Sequence, residues 1–121
     1  MREIKTVALV GLGAIGAFVA PRLKEQLGDQ FRVIAGGARR ERLENNGVFI
    51  NDVNYKFHIV DPKEQTGYAD FAIFATKNTQ LDQAILDMKH QIGPETIVMS
   101  LLNGVTSEEK IKKAYYKEKV L

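Results

Sequence analysis

Apolar and polar positions follow two periods along this chain, and the switches between them lay out an order of elements. Val7-Ala8-Leu9-Val10 is a continuous apolar run that stops at Gly11. Such a run, bounded by glycine, predicts a strand buried on both faces. From Ala14 to Leu27 the period changes. Ile15, Val19, Leu23 and Leu27 recur every fourth residue and Phe18 joins their face, which predicts an amphipathic helix. Pro21 falls inside it and removes one amide donor, and Gly28 supplies the stop. Phe31 to Ala35 predicts a second strand, cut off by Gly36-Gly37. Ala38 to Asn46 predicts a short polar helix, closed by Asn46-Gly47. Val48-Phe49-Ile50 and Tyr55 to Val60 then flank Asn51-Asp52-Val53-Asn54, which predicts two short strands joined by a tight connection.

The second half repeats the alternation. Asp70 to Ala75 is a strongly apolar strand. Thr79 to Gln91 carries Leu81, Ala84, Ile85 and Met88 on one side of a helix that Gly93-Pro94 ends. Thr96 to Leu102 is another apolar strand. Ser107 to Tyr116 reads as a helix with Ser107 as N-cap and Glu108-Glu109 in its first turn, where the dipole favours them. Lys117 to Leu121 resembles the approach to a further strand. Strand and helix alternating in this order imply an α/β fold, a Rossmann-type doubly wound and mainly parallel sheet with helices on both faces. The expectation is one dinucleotide-binding domain over residues 1–121, the N-terminal part of a longer protein.

Composition narrows the function classes. Hydrophobic residues make up 45% and charged residues 26%, which is globular usage. The net charge of +2 is too small to argue for nucleic acid or an anionic membrane. The lysines at 110, 112, 113, 117 and 119 alternate with Glu108, Glu109 and Glu118 and read as a solvated helix face. No cysteine is present, which excludes disulfides, thiolate metal sites and cysteine nucleophiles. His58 and His90 lack a local ligand partner, so neither points to a metal. No apolar run approaches membrane-spanning length, and a cytoplasmic protein is the expectation.

The informative motif is Gly11-Leu12-Gly13-Ala14-Ile15-Gly16. It matches G-x-G-x-x-G, follows a strand and opens a helix, which is the context that gives the pattern its value. Gly11 permits the turn, Gly13 lets a pyrophosphate approach the backbone, and Gly16 lets the helix pack on the strand. The amides around Ala14 and Ile15 then face the anion. Dinucleotide folds that take NAD usually place an acid at the end of the second strand. Here Ile34-Ala35-Gly36-Gly37-Ala38-Arg39-Arg40 holds none, and Arg39 and Arg40 point to the 2′-phosphate of NADP(H). Two further segments end strands at the edge where ligands bind. In Ala75-Thr76-Lys77-Asn78-Thr79-Gln80, Lys77 can meet a cofactor phosphate or a substrate carboxylate with Gln80 beside it. The alternative is a surface lysine followed by a helix cap from Asn78 or Thr79. In Ser100-Leu101-Leu102-Asn103-Gly104-Val105, Asn103 can fix a ribose, a nicotinamide or a substrate hydroxyl, or can form an ordinary Asn-Gly turn.

Together these residues resemble the N-terminal domain of the ketopantoate reductase family. The resemblance rests on Gly11 to Gly16, Asn46-Gly47-Val48, Lys77-Asn78-Thr79-Gln80, and Leu102-Asn103-Gly104-Val105 followed by Glu108-Glu109, and it covers essentially the whole chain. It implies NADPH-dependent reduction of 2-dehydropantoate to (R)-pantoate, a step toward pantothenate and coenzyme A. It implies that Gly11, Leu12, Gly13, Ala14, Ile15 and Gly16 hold the pyrophosphate. Lys77 and Gln80 would line the cofactor, and Asn103 and Lys77 would also reach the substrate. One departure stands out: the family commonly carries an arginine at the end of the second strand, where this chain has Gly36. The family's general-acid lysine lies in a helical C-terminal substrate domain, through which a homodimer is also expected. Two other readings stand beside this one, a stand-alone NAD(H)-sensing regulatory module and an NADP reductase of a different 2-oxo acid.

Overall fold

β1 is buried along its whole length, and the sheet is assembled around it. The computed structural model describes residues 3–102 and 105–121, with the backbone alone of Ala14, Ile15 and Val105. In chain order the elements are β1 (Val7–Val10), α1 (Ala14–Leu27), β2 (Phe31–Ile34), α2 (Gly37–Asn46), β3 (Val48–Ile50), β4 (Val53–Tyr55), β5 (His58–Val60), β6 (Phe71–Phe74), α3 (Leu81–Asp87), β7 (Ile97–Ser100) and α4 (Val105–Tyr115). The main sheet runs β5-β2-β1-β6-β7, and every neighbouring pair is parallel. The chain thus winds outward from β1 through β2 to β5, then crosses back to β6 on the other side of β1. The strand order reverses between β1 and β6, which is the Rossmann-type arrangement the sequence implies.

Alternation along the strands separates two cores. Val7 and Leu9 pack with Phe31, Val33, Ile73 and Ala20 on the α1 face. Ala8 and Val10 pack with Ile34, Phe74, Leu81, Met88 and Ile111 on the α3 and α4 face. Phe31 and Phe74 are both fully buried, and each such side chain contributes on the order of 2–3 kcal/mol. No helix among the described residues is long and apolar enough to cross a membrane.

Several elements differ from expectation, each for a physical reason. In α1 the buried face runs through Gly16, Ala20, Leu23 and Leu27, while Phe18 is 64% exposed. The sheet-facing side starts at Gly16, and the residues on that side along the helix follow it rather than Phe18. Phe18 instead lies under the Arg22 guanidinium, 5.0 Å from its ring centre. The hairpin is β3 with β4, and only Asn51-Asp52 connects them. Their φ values of 50° and 65° give the two-residue left-handed turn that matches hairpin twist and that Asn and Asp tolerate. Val53 and Asn54 therefore pair across the hairpin. His58–Val60 leaves it and becomes the edge strand of the main sheet. Phe57 bridges the two, edge-on to Phe31 and stacked on Tyr55.

The third helix is shorter than the periodicity suggests. It starts as a 3₁₀ turn over Asn78–Gln80 and ends at Asp87. Gln91 lies beyond it, buried, donating to Thr66 Oγ1 at 3.0 Å and accepting from Arg32 at 2.9 Å. Ser107 is not an N-cap: α4 begins at Val105, and Ser107 is 2% exposed inside it, with its Oγ 3.4 Å from that of Ser100. Lys117 is not part of a solvated face. Its ammonium donates to the carbonyls of Gly93 (2.7 Å), Pro94 (3.2 Å) and Thr96 (2.8 Å), tying the turn before β7 to the end of α4. Leu121 donates to the Val98 carbonyl and accepts from the Ser100 amide, both at 2.9 Å, so the last residue hydrogen-bonds alongside β7.

Tyr115 closes the packing of α4 on α3, its hydroxyl donating to the Ile85 carbonyl. Burial first, and Asp87 second, push its phenol well above its ordinary value. The folded state keeps this group neutral, whereas an unfolded chain ionises it near about pH 10. Stability from this group is present below that pH and lost as pH rises past it. The advantage of wild type over Tyr115→Phe in urea denaturation is expected to shrink between about pH 9 and 11. A pH-independent difference would show that the hydroxyl does not titrate this way.

Candidate cofactor site

The chain leaves β1 through Gly11, whose φ of +91° is open to glycine and strained for other residues. The turn is also tight in space. A Cβ on Gly11 would lie 2.6 Å from the Thr76 amide nitrogen and 2.7 Å from the Ala75 carbonyl carbon. Gly16 is held as closely: a Cβ there would stand 2.9 Å from the Gly11 carbonyl oxygen and 3.0 Å from the Ala75 Cβ. The loop is thus clasped against the end of β6, and α1 starts directly upon it. Leu12 packs into the core on the α1 face.

Gly13 is the N-cap of α1 and is exposed. No side chain caps this helix, and its first turn carries no acid. The first amides of a helix, here those of Ala14, Ile15 and Gly16, have no acceptor within it, and the positive end of its dipole lies behind them. An uncapped helix start free of negative charge, approached through glycines, suits a phosphate group.

Beside this loop a groove of about 290 Å³ opens between the ends of β1 and β2 and the length of α3. Val10, Gly36, Arg39, Thr76, Gln80 and Asp87 are among its walls. Larger cavities of about 540, 530 and 340 Å³ lie elsewhere, the first between α1 and the hairpin and the other two on either side of Tyr68, beside Tyr116 and beside Thr96. None of them shares a lining residue with the groove, which adjoins the loop through Val10 and Thr76.

The structure divides the sequence-predicted residues. Gly36 carries no side chain into the groove, and the space its Cβ would need is bounded by Pro62 and Asp61 at 3.1 and 3.2 Å. Arg39 lines the groove, but Arg40 does not. Arg40 hydrogen-bonds Glu44 at 2.7 Å and Glu64 at 2.9 Å, with Asp61 4.0 Å away. Those carboxylates hold the Arg40 guanidinium above its ordinary pKa, while the Asp61 amide and then Arg40 hold the Glu64 carboxyl below its own. Lys77 is exposed just beyond β6; its carbonyl accepts from the Gln80 amide at 2.9 Å, while its ammonium has no hydrogen-bond or ion-pair partner among the described residues. Gln80 lines the groove. Neither Asn78 nor Thr79 caps the helix that follows. Asn103 and Gly104 lie outside the described residues, though Ser100 Oγ accepts from the Leu102 amide at 3.2 Å just before them.

Thr76 escaped the sequence reading. Its Oγ1 is buried and lacks a hydrogen-bond partner, and it alone is so placed among the described buried side-chain atoms. The signal available in sequence was weak: a small residue and a hydroxyl where an apolar strand meets the lysine. The cradle a Cβ would fill, the uncapped helix start and this hydroxyl fit a dinucleotide.

Comparison with known proteins agrees with this geometry. The model of the ketopantoate reductase PanE/ApbA family matches residues 7–121, and the chain belongs to that family. It is 32% identical over 117 residues to an uncharacterized oxidoreductase of Bacillus subtilis (strain 168), YkpB, covering 93% of this chain and 38% of that protein. It is 31% identical over 109 residues to the 2-dehydropantoate 2-reductase of Streptococcus pyogenes serotype M1, covering 88% of this chain and 36% of that enzyme. Among solved structures it resembles D-mandelate dehydrogenase in its ternary structure with NADH and anilino(oxo)acetate. That likeness has 30% identity and a TM-score of 0.77 over 95% of this chain and 39% of that one. The chain spans less than two fifths of the length of the relatives it matches.

The glycine contacts generate a graded expectation. Gly16→Ala forces a Cβ onto the Gly11 backbone and is expected to cost about 2–3 kcal/mol in chemical denaturation. Gly13→Ala, at an exposed position with a Cβ 3.2 Å from one carbonyl oxygen, is expected to cost less than about 1 kcal/mol. Equal costs at the two positions would mean that α1 is not clasped as described.

Proposed function

We propose that this chain is the dinucleotide-binding part of an NADPH-dependent reductase that converts 2-dehydropantoate to (R)-pantoate. One observation carries the reading: a glycine loop pressed onto the end of β6, where an uncapped helix start opens at the reversal of strand order. In this reading the backbone from Gly11 to Gly16 holds the pyrophosphate. Arg39 meets the 2′-phosphate, since Arg40 is committed to Glu44 and Glu64. Lys77 and Gln80 line the cofactor, and Asn103 with Lys77 orients the substrate's carboxylate and carbonyl. When bound, the reduced nicotinamide supplies the hydride that goes to the carbonyl carbon.

The carbonyl oxygen then needs a proton, and this reading assigns the donor to a lysine in a helical domain beyond these residues. The share of the relatives' length that the chain spans supports that division. These residues alone are therefore expected to bind nucleotide while turning over little ketopantoate with NADPH. Ordinary turnover from them alone would overturn the two-domain assignment.

A second reading is favoured by the likeness to D-mandelate dehydrogenase with NADH, namely reduction of a different 2-oxo acid with NADH. Nucleotide titration separates the two. If Arg39 reads a 2′-phosphate, NADPH binds more tightly than NADH, and Arg39→Ala lowers NADPH affinity about tenfold while leaving NADH affinity unchanged. Tighter binding of NADH, or equal losses for both nucleotides, would favour the second reading.

A further inference from the structure

We infer that the Thr76 hydroxyl is a ligand of the bound dinucleotide, making its hydrogen bond to a ribose or phosphate oxygen in the groove beside the glycine loop. The inference rests on the dinucleotide reading above and extends it to a residue outside the glycine motif.

Buried polar groups in folded proteins find partners almost without exception, and a solitary one calls for a reason. This protein follows the rule elsewhere. Gln91 bonds Thr66 and Arg32, and Thr96 Oγ1 accepts from the Gly93 amide at 2.9 Å and donates to the Ala69 carbonyl at 2.7 Å. Ser107 lies 3.4 Å from Ser100. Thr76 Oγ1 is the exception among the described residues.

Its position is specific. The Thr76 amide nitrogen is the atom that a Cβ on Gly11 would meet first, and Thr76 also lines the groove with Val10, Gly36 and Gln80. The hydroxyl has no local task in starting the next helix, because the residues flanking the 3₁₀ turn make no side-chain cap bonds. A valine of nearly the same shape would fill the position without a buried polar atom. The backbone here is fixed by Ala75, whose amide donates to the Val10 carbonyl at 2.9 Å. Rotation about χ1 exchanges the hydroxyl and methyl of a threonine between staggered positions. It carries the hydroxyl from beneath the groove surface into the groove when an acceptor arrives. A hydroxyl both donates and accepts, which matches ribose hydroxyls and phosphate oxygens alike.

The test compares wild type, Thr76→Val and Thr76→Ser by fluorescence titration with NADPH and with NADH, and by thermal unfolding without nucleotide. The expected result for Thr76→Val has two opposite signs. Affinity for the nucleotide that wild type prefers falls about tenfold, as for loss of one hydrogen bond to a charged or strongly polar group. The melting temperature of the nucleotide-free protein stays level or rises, because an unpartnered buried hydroxyl has been removed. Thr76→Ser keeps the hydroxyl and retains affinity within about threefold of wild type. Undiminished affinity in Thr76→Val overturns the inference, and so does a loss of affinity accompanied by a lower melting temperature, which marks a structural role. If wild type itself binds neither nucleotide, the dinucleotide reading falls, and this inference with it.

Discussion

The close approach of two backbones, at Gly11 and at Ala75-Thr76, governs the rest of this structure. β1 and β6 are parallel neighbours, and the chain leaving β1 must turn across the end of β6. No side chain fits between them at Gly11 or Gly16. That contact fixes the rotation of α1: Gly16 faces the sheet, so Ala20, Leu23 and Leu27 follow it and Phe18 is carried outward. It also leaves the start of α1 at the reversal of strand order, between β1 and β6. Steric exclusion of a single methyl group therefore determines both how the helix packs and where an anion can be held.

The two edges of the sheet are built on different principles. At the amino edge polar groups are paired. Asp70 accepts from the Lys5 and Thr6 amides at 2.8 and 3.2 Å, Gln91 bridges Arg32 and Thr66, and Lys117 gathers three carbonyls. Burial holds the Lys117 ammonium below its ordinary pKa. At the carboxyl edge the Arg40 ion pairs stand beside an uncapped helix start, an exposed lysine whose ammonium has no partner among the described residues, and a buried hydroxyl without one. The unsatisfied polar groups thus gather at the edge where the glycine loop lies, as is common where a fold keeps a site ready for a ligand.

Helix geometry separates the two arginines that sequence places side by side. Successive residues on a helix point about 100° apart, so neighbours cannot share one face. Arg39 therefore borders the groove, while Arg40 turns to Glu44 one helical turn on and to Glu64 across the loop after β5. The Glu64 position is itself set by the Asp61 amide, 3.1 Å away. A run of positive charge that looks like one phosphate-binding device is thus split into a groove residue and a surface ion-pair cluster.

Much of this protein is legible in its sequence because local rules suffice for it. Continuous apolar runs and fourfold spacing located β1, α1, β2, β6, α3 and β7, and the glycine spacing located the loop, since strand burial and helix period act over a few residues. Tandem residues such as Asn51-Asp52 carried a turn signal as well, but which strands it joined depended on whether His58–Val60 paired with β4 or with β2, a choice made by the whole sheet. The inward turn of Ser107, the capture of three carbonyls by Lys117, the division of Arg39 from Arg40 and the orphaned hydroxyl of Thr76 were likewise decided only by tertiary structure. Each depends on groups many residues apart meeting in space, and a linear pattern carries the chemistry of a side chain without the identity of the neighbour that satisfies it or leaves it unsatisfied.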